Sequence, residues 1–168
     1  RPSQWRHARS CNLAIWRDDL DRVDGFDADY NGWGREDSDL LVRLLSGLDL
    51  AGARPRLVAS DGEFHSLRRQ LDRLDEAGVE VVRVPTDPVD TLAERMAAAV
   101  DDRTAAVLVS AVFFHNAHVV PGLRSLARAC ARHGVELLVD AYHALDAVPF
   151  TIGREGLEGA FVTGGGYK

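Results

Sequence analysis

From Arg56 onward, short β-branched apolar runs alternate with segments in which apolar residues recur every three or four positions. That alternation is the signature of successive strand-helix-strand units and hence of a parallel sheet. Arg56 to Ser60 reads as a first strand, after which Phe64, Leu67, Leu71 and Leu74 recur at helical spacing and Gly78 supplies a helix stop. Val79 to Val84 predicts the second strand. Asp90 to Val100 predicts a helix with Leu92, Met96 and Val100 on one face, leading into Ala105 to Ala111, apolar throughout and expected to be central. Leu123, Leu126, Ala127 and Cys130 line a third helix closed by Gly134; Val135 to Val139 is a buried strand ending at Asp140, and Gly159 to Thr163 is the fifth strand.

The first 50 or so residues have no such rhythm. They hold the tryptophans, clustered acids and turn signals such as Asp24-Gly25. The change falls inside a helical pattern, Leu40, Leu41, Leu44, Leu45 and Leu48, with no Gly, Ser or Pro-rich linker. The expected organisation is therefore a segment over 1–45 and a larger α/β unit over 46–168.

Composition narrows the classes. A chain of 168 residues can bury one ordinary core but not two sizeable ones. With 46% hydrophobic and 27% charged residues, and no apolar run of spanning length, a soluble globular protein is expected. A net charge of −6 offers no basic footprint, so nucleic-acid and membrane partners are not expected. Cys11 and Cys130 form no metal or redox spacing, and no signal-peptide pattern follows the basic start, which together predict a reduced, cytoplasmic setting. Cys130 is expected to be packed.

Ligands of open parallel sheets bind outside the carboxyl ends of the strands. Three polar stretches follow apolar runs in that way: Ser110 to His118, Asp140-Ala141-Tyr142-His143, and Thr163-Gly164-Gly165-Gly166-Tyr167-Lys168. An acid at a strand end can hold a proton on a heteroaromatic nitrogen, and a lysine after a glycine run can approach an aldehyde closely. The pair Asp140-Ala141-Tyr142-His143 and, one strand later, Gly164-Gly165-Gly166-Tyr167-Lys168 resembles the class V aminotransferase family and its kynureninase-like branch, over roughly residues 43 to 168. The resemblance implies pyridoxal 5'-phosphate as cofactor. It makes Asp140 the partner of the pyridine nitrogen and Lys168 the lysine that holds the cofactor as a Schiff base. It puts His143 on the ring-hydroxyl side and Tyr167 at the phosphate. His65, in Asp61-Gly62-Glu63-Phe64-His65, falls where the family stacks a side chain on the ring, with Phe64 as the alternative; Asn116 falls where the family offers a polar contact to the ring hydroxyl.

The first segment resembles a different family. Cys11 to Arg17, and then Gly32-Trp33-Gly34-Arg35-Glu36-Asp37-Ser38-Asp39, looks like the acceptor-side half of family 2 glycosyltransferases, which share this motif with galactosyltransferases. Adjacent acids at a helix start can deprotonate an acceptor hydroxyl. By resemblance Asp37 is that base beside Glu36, and Trp33 packs on the acceptor sugar; Asp27-Ala28-Asp29 reads as a turn, and no metal site is expected.

With both resemblances present the chain reads as a chimera joined near Leu40 to Leu48. The fold expected is α/β, a mostly parallel sheet flanked by helices, as in part of a fold-type-I pyridoxal-phosphate large domain, with the first segment as an irregular cap. The function expected is chemistry at an amino-acid Cα, as a transaminase, desulfurase or lyase, weak or inactive for want of the family's phosphate-cradling turn and its substrate-carboxylate arginine. The alternatives are glycosyl transfer from a nucleotide sugar and a non-catalytic α/β scaffold. The resemblance also implies a homodimer.

Overall fold

The computed structural model describes residues 47, 48, 50 and 52–164. Five strands form one sheet: β1 (Arg56–Ser60), β2 (Glu80–Val84), β3 (Thr104–Ser110), β4 (Glu136–Asp140) and β5 (Phe161–Thr163). Their order is β2-β1-β3-β4-β5, and every pairing is parallel. The connections carry helices α1 (His65–Glu76), α2 (Leu92–Ala98), α3 (Leu123–His133) and a short α4 (Ile152–Glu155).

Alternate strand residues feed opposite faces, as the pleat requires. Leu57, Ala59, Ala106, Leu108 and Leu138 pack with Leu67 and Leu71 of α1. Val58, Val107, Val109, Leu137, Val139 and Val162 pack on the other face with Leu92 and Met96 of α2 and with Leu123, Leu126 and Cys130 of α3. Both faces are covered, which is why β3 is buried along its whole length and carries no polar residue between Thr104 and Ser110. Burial also pushes the Cys130 thiol up to about 11, as suits a packed cysteine.

The expected strands and helices are present with small shifts of boundary; β3, expected over Ala105 to Ala111, spans Thr104–Ser110. β2 and β4 each begin one residue late, because Val79 and Val135 give their amides to close helices: Val79 N–H donates to Leu74 O (2.9 Å) and Val135 N–H to Cys130 O (2.9 Å). The second closure runs through Gly134 at φ +60°, the left-handed conformation that glycine accepts without strain. The helix expected over 90–100 is shorter: Val89–Thr91 is a 3-10 turn, and α2 spans Leu92–Ala98. β5 starts at Phe161, since Ala160 N–H turns back to Leu157 O (3.0 Å).

No helix among the described residues is long and apolar enough to cross a membrane. Of the leucine pattern over Leu40 to Leu48, only Leu48 lies within the described residues, against the α1 face of the sheet.

Candidate functional site at the carboxyl edge of the sheet

The chain runs from β1 outward to β2, returns across β1 to β3, and then continues outward to β5. The direction reverses between β1 and β3, so a crevice opens above their carboxyl ends, the place where open α/β sheets bind ligands. The strands finish in polar residues there. Ser60 closes β1, Ser110 closes β3, Asp140 closes β4 and Thr163 closes β5, with Ser110 opposite Asp140 and Asp140 opposite Thr163 in the register.

Asp140 is held from three sides. Its carbonyl accepts from Ala111 N–H (2.8 Å), the next residue's amide donates to Thr163 O (2.7 Å), and its own Oδ1 accepts from Tyr142 N–H (2.8 Å). The last contact is an Asx turn, which aims the carboxyl along the end of β4 and starts the tight turn carrying His143. Ala144 and Leu145 both donate back to Ala141 O, at 2.9 and 3.0 Å, so His143 sits on a fixed turn rather than on a long loop.

Aromatic rings from three connections meet at this carboxyl end of the sheet. Phe64 and His65 come from the turn after β1, Phe114 from the loop after β3, and His143 from the turn after β4. The Phe64 ring centroid lies 5.7 Å from that of His143 and 5.2 Å, edge-on, from that of Phe114. His65 packs against Phe64 at 5.3 Å and Phe114 at 4.8 Å. Of the two ring-stacking candidates, Phe64 is the one in ring contact with His143, and it is half-buried where His65 is exposed.

Asn116 stays in its own loop. Its Oδ1 accepts from His118 N–H (3.0 Å), its Nδ2 lies 3.3 Å from His118 Nδ1, and the side chain is exposed. The hydrogen bonds of Asn116 thus shape the turn between Phe113 and His118 and do not join it to Asp140. Lys168 and Tyr167, together with Trp33, Glu36 and Asp37 of the first segment, lie outside the described residues.

One buried acid went unassigned in the sequence. Glu63, only 1% exposed, bridges the ends of β1 and β3. Ser60 Oγ donates to its Oε1 at 2.5 Å, Ser110 N–H donates to Oε1 at 3.1 Å, and Ser110 Oγ donates to Oε2 at 2.7 Å. Burial pushes its carboxyl up to about 7; these hydrogen bonds pull the other way, and the charge of Asp140 adds a smaller upward push. The signal available in sequence was an acid three residues past an apolar strand that ends in serine, a spacing that also reads as ordinary helix-start chemistry. Next to it, Gly62 permits a close approach: a Cβ there would come within 2.6 Å of Thr86 Cγ2 and 3.0 Å of the Phe113 ring.

Comparison with known proteins agrees with this layout at the level of fold. The family described as the N-terminal domain of galactosyltransferase matches residues 1–64, less than half of the chain. No curated protein matches. Among solved structures, SspA in complex with cysteine superposes with a TM-score of 0.66 at 15% identity, covering 79% of this chain and 37% of that one. A mutant of C-DES with glycine covalently linked to its PLP cofactor gives 0.61 at 19% identity, covering 76% and 33%. DndA from Streptomyces lividans gives 0.54 at 22%, covering 63% and 29%. The chain therefore spans about a third of the length of the solved structures it matches. What they share with it is the fold, a parallel sheet flanked by helices that resembles the fold-type-I domains of pyridoxal-phosphate enzymes.

Proposed function

We propose that the region from Arg56 to Lys168 is the cofactor-holding part of a pyridoxal-phosphate enzyme that acts at the Cα of an amino acid. The observation that carries this reading is the cluster of rings from three connections at the carboxyl end of the sheet, the same end at which Asp140 closes β4. A flat heteroaromatic cation fits such a place. The carboxylate meets its ring N–H, and the aromatic side chains cover its face and keep water away. The fold shared with the solved structures supports the same reading.

The residues have separate tasks. Asp140 holds a proton on the ring nitrogen, because separating that N–H from a carboxylate placed against it is costly. Phe64 or His65 covers the ring. His143 addresses the ring-hydroxyl side, with Asn116 as a further polar contact that would need its loop to turn inward. Tyr167 would bind the phosphate, and Lys168 would hold the aldehyde and move a proton at the substrate's Cα. When bound, pyridoxal phosphate supplies the electron sink for the bond broken at Cα. Transamination, desulfuration and β- or γ-cleavage all begin this way, and cysteine heads the list of substrates to try because the SspA structure holds it. A homodimer is part of the same proposal.

The test is the near-ultraviolet and visible absorbance of the purified chain with pyridoxal phosphate, before and after borohydride, in the wild type and in Lys168→Ala. The expected result is a reducible band in the wild type alone. Identical spectra from the two would overturn the reading and leave an inert α/β scaffold.

The match of residues 1–64 supports a second reading, in which the first segment takes part in glycosyl transfer with Asp37 as base, Glu36 beside it and Trp33 under the acceptor sugar. Manganese-dependent binding of a nucleotide sugar, with sugar transfer to an acceptor lost in Asp37→Asn, is its expected signature; no binding at all would dispose of it.

A further inference from the structure

Glu63 is the buried carboxyl, among the described residues, that the reading above leaves unused. It hangs from the last turn before α1, one residue ahead of Phe64, and its two carboxyl oxygens are tied to the ends of β1 and β3 by Ser60 and Ser110. Ser110 is in turn the register partner of Asp140. One carboxyl thus joins the two strands that frame the crevice, fixes the backbone that presents Phe64, and lies near enough to Asp140 to feel its charge.

The groups around it leave little else for it to respond to. From β1 and β3 it meets hydroxyls and an amide, not cations. Asp61 on its own turn accepts from Thr86 N–H (2.9 Å) and is exposed. His65 of α1 is exposed and lies against Phe64 and Phe114, while His143, after β4, lies against Phe64. Among the described residues, Asp140 is the charged group that bears on Glu63. A cation brought to Asp140 would offset that charge.

We propose that Glu63 is a positioning residue of this site, a buried carboxyl that clamps the ends of β1 and β3 under the aromatic rings and gives up its proton more readily when a cationic ring nitrogen docks on Asp140. The docking half of the proposal rests on the pyridoxal-phosphate reading; the coupling between the two acids does not. The proton released by Glu63 passes to solvent, so one fewer proton on Glu63 accompanies one compensated charge on Asp140. Reciprocity follows. Ionised Glu63 must favour a ring cation at Asp140 by the same factor with which the cation favours ionised Glu63.

The experiment is infrared difference spectroscopy of the full chain across neutral pH, following the protonated-carboxyl band that Glu63→Gln removes. In the apo protein that band should titrate with a midpoint of about 7. Asp140→Asn should lower the midpoint, because one repelling charge is gone, and Ser110→Ala should raise it, because one stabilising donor is gone. Adding pyridoxal phosphate should lower it in the wild type and leave it in place in Asp140→Asn. In parallel, Glu63→Gln should keep the fold and bind pyridoxal phosphate with the Glu63-linked step missing from its affinity–pH profile, a change that a purely structural role would not produce.

A band that titrates identically in wild type, Asp140→Asn and Ser110→Ala overturns the proposal. So does the absence of any band sensitive to Glu63→Gln. Should the Asp140 variant fail to fold, an unmoved midpoint in Ser110→Ala is sufficient to overturn it. A midpoint that falls in Asp140→Asn in a chain showing no pyridoxal-phosphate absorbance change upholds the coupling of the acids and overturns the cofactor reading instead.

Discussion

The two edges of this sheet handle charge in opposite ways. At the amino edge, Arg56 reaches Asp101 at 2.5 Å and Glu80 at 3.2 Å, Arg103 reaches Glu80 at 2.8 Å, and Arg54 caps α3 through Gly134 O (2.6 Å) and His133 O (3.1 Å). Acids there are exposed and meet cations, of which Arg56 is largely buried and Arg103 exposed. At the carboxyl edge, Glu63 is out of water and rests on two hydroxyls and an amide. The result is two acids moved in opposite directions. Burial raises Glu63 to about 7; at Asp101 desolvation is the largest single influence, yet the Thr104 hydroxyl, the Arg103 amide and the charges of Arg56 and Arg103 together outweigh it and lower the carboxyl. The amino edge pairs its acids with cations, and the carboxyl edge keeps a buried carboxyl apart from them.

The largest effect expected from that contrast is on stability against pH. Glu63 holds its proton more tightly folded than unfolded, so its contribution is fully present below the ordinary value of 4.5 and is lost as pH rises through about 7. The difference amounts to about 3.5 kcal/mol at most, from about 1.4 kcal/mol per unit. Urea titrations at a series of pH values should show this loss in the wild type and a flatter profile in Glu63→Gln. Asp101 works the other way: its contribution is present above the ordinary value of 3.8 and lost as pH falls below it. Hydrogen exchange resolved by residue should therefore find the amino edge loosening in acid while the carboxyl edge tightens. Equal behaviour of the two edges would erase the distinction.

A smaller effect is expected from Glu63→Ala, compared with the wild type in mild acid where the carboxyl is neutral. Ser110 N–H loses its acceptor and both serine hydroxyls lose theirs, in a place without ready access to water, and such orphaned groups cost about 2 kcal/mol. Glu63→Gln should recover most of it. The smallest effect belongs to the amino edge: Arg103→Ala removes an exposed pair and should change stability by less than about 0.5 kcal/mol in the same denaturation experiment. A loss there as large as that of Glu63→Ala would mean that the edges do not differ as described.

The scaffold was legible in the residues because its signals are local. β-branched runs and glycine stops marked β1, β3 and the end of α3 to within a residue or so. Val79 and Val135 misled for a shared physical reason: each has the side chain of a strand residue but an amide committed to closing a helix. The site was legible only in part. Asp140 and His143 follow an apolar strand and lie at its carboxyl end, as expected. Glu63 could not be weighed, since its importance depends on Ser110, brought beside it by strand pairing across 47 positions of sequence. Phe64 and His65 stayed alternatives in sequence because either can follow the same turn; in the fold, Phe64 is the one against His143.

Gly62 sets a limit on how this edge can be varied. Because any side chain at 62 would collide with Thr86 and the Phe113 ring, the turn that carries both Glu63 and Phe64 has one tolerated spelling at that point. A library randomised from Asp61 to His65 and selected only for folding should return glycine at 62 in nearly every survivor while leaving Phe64 and His65 free to drift. For protein engineers the turn is thus a fixed hinge pin with an exchangeable ring beside it, and the ring can be changed without rebuilding the sheet beneath.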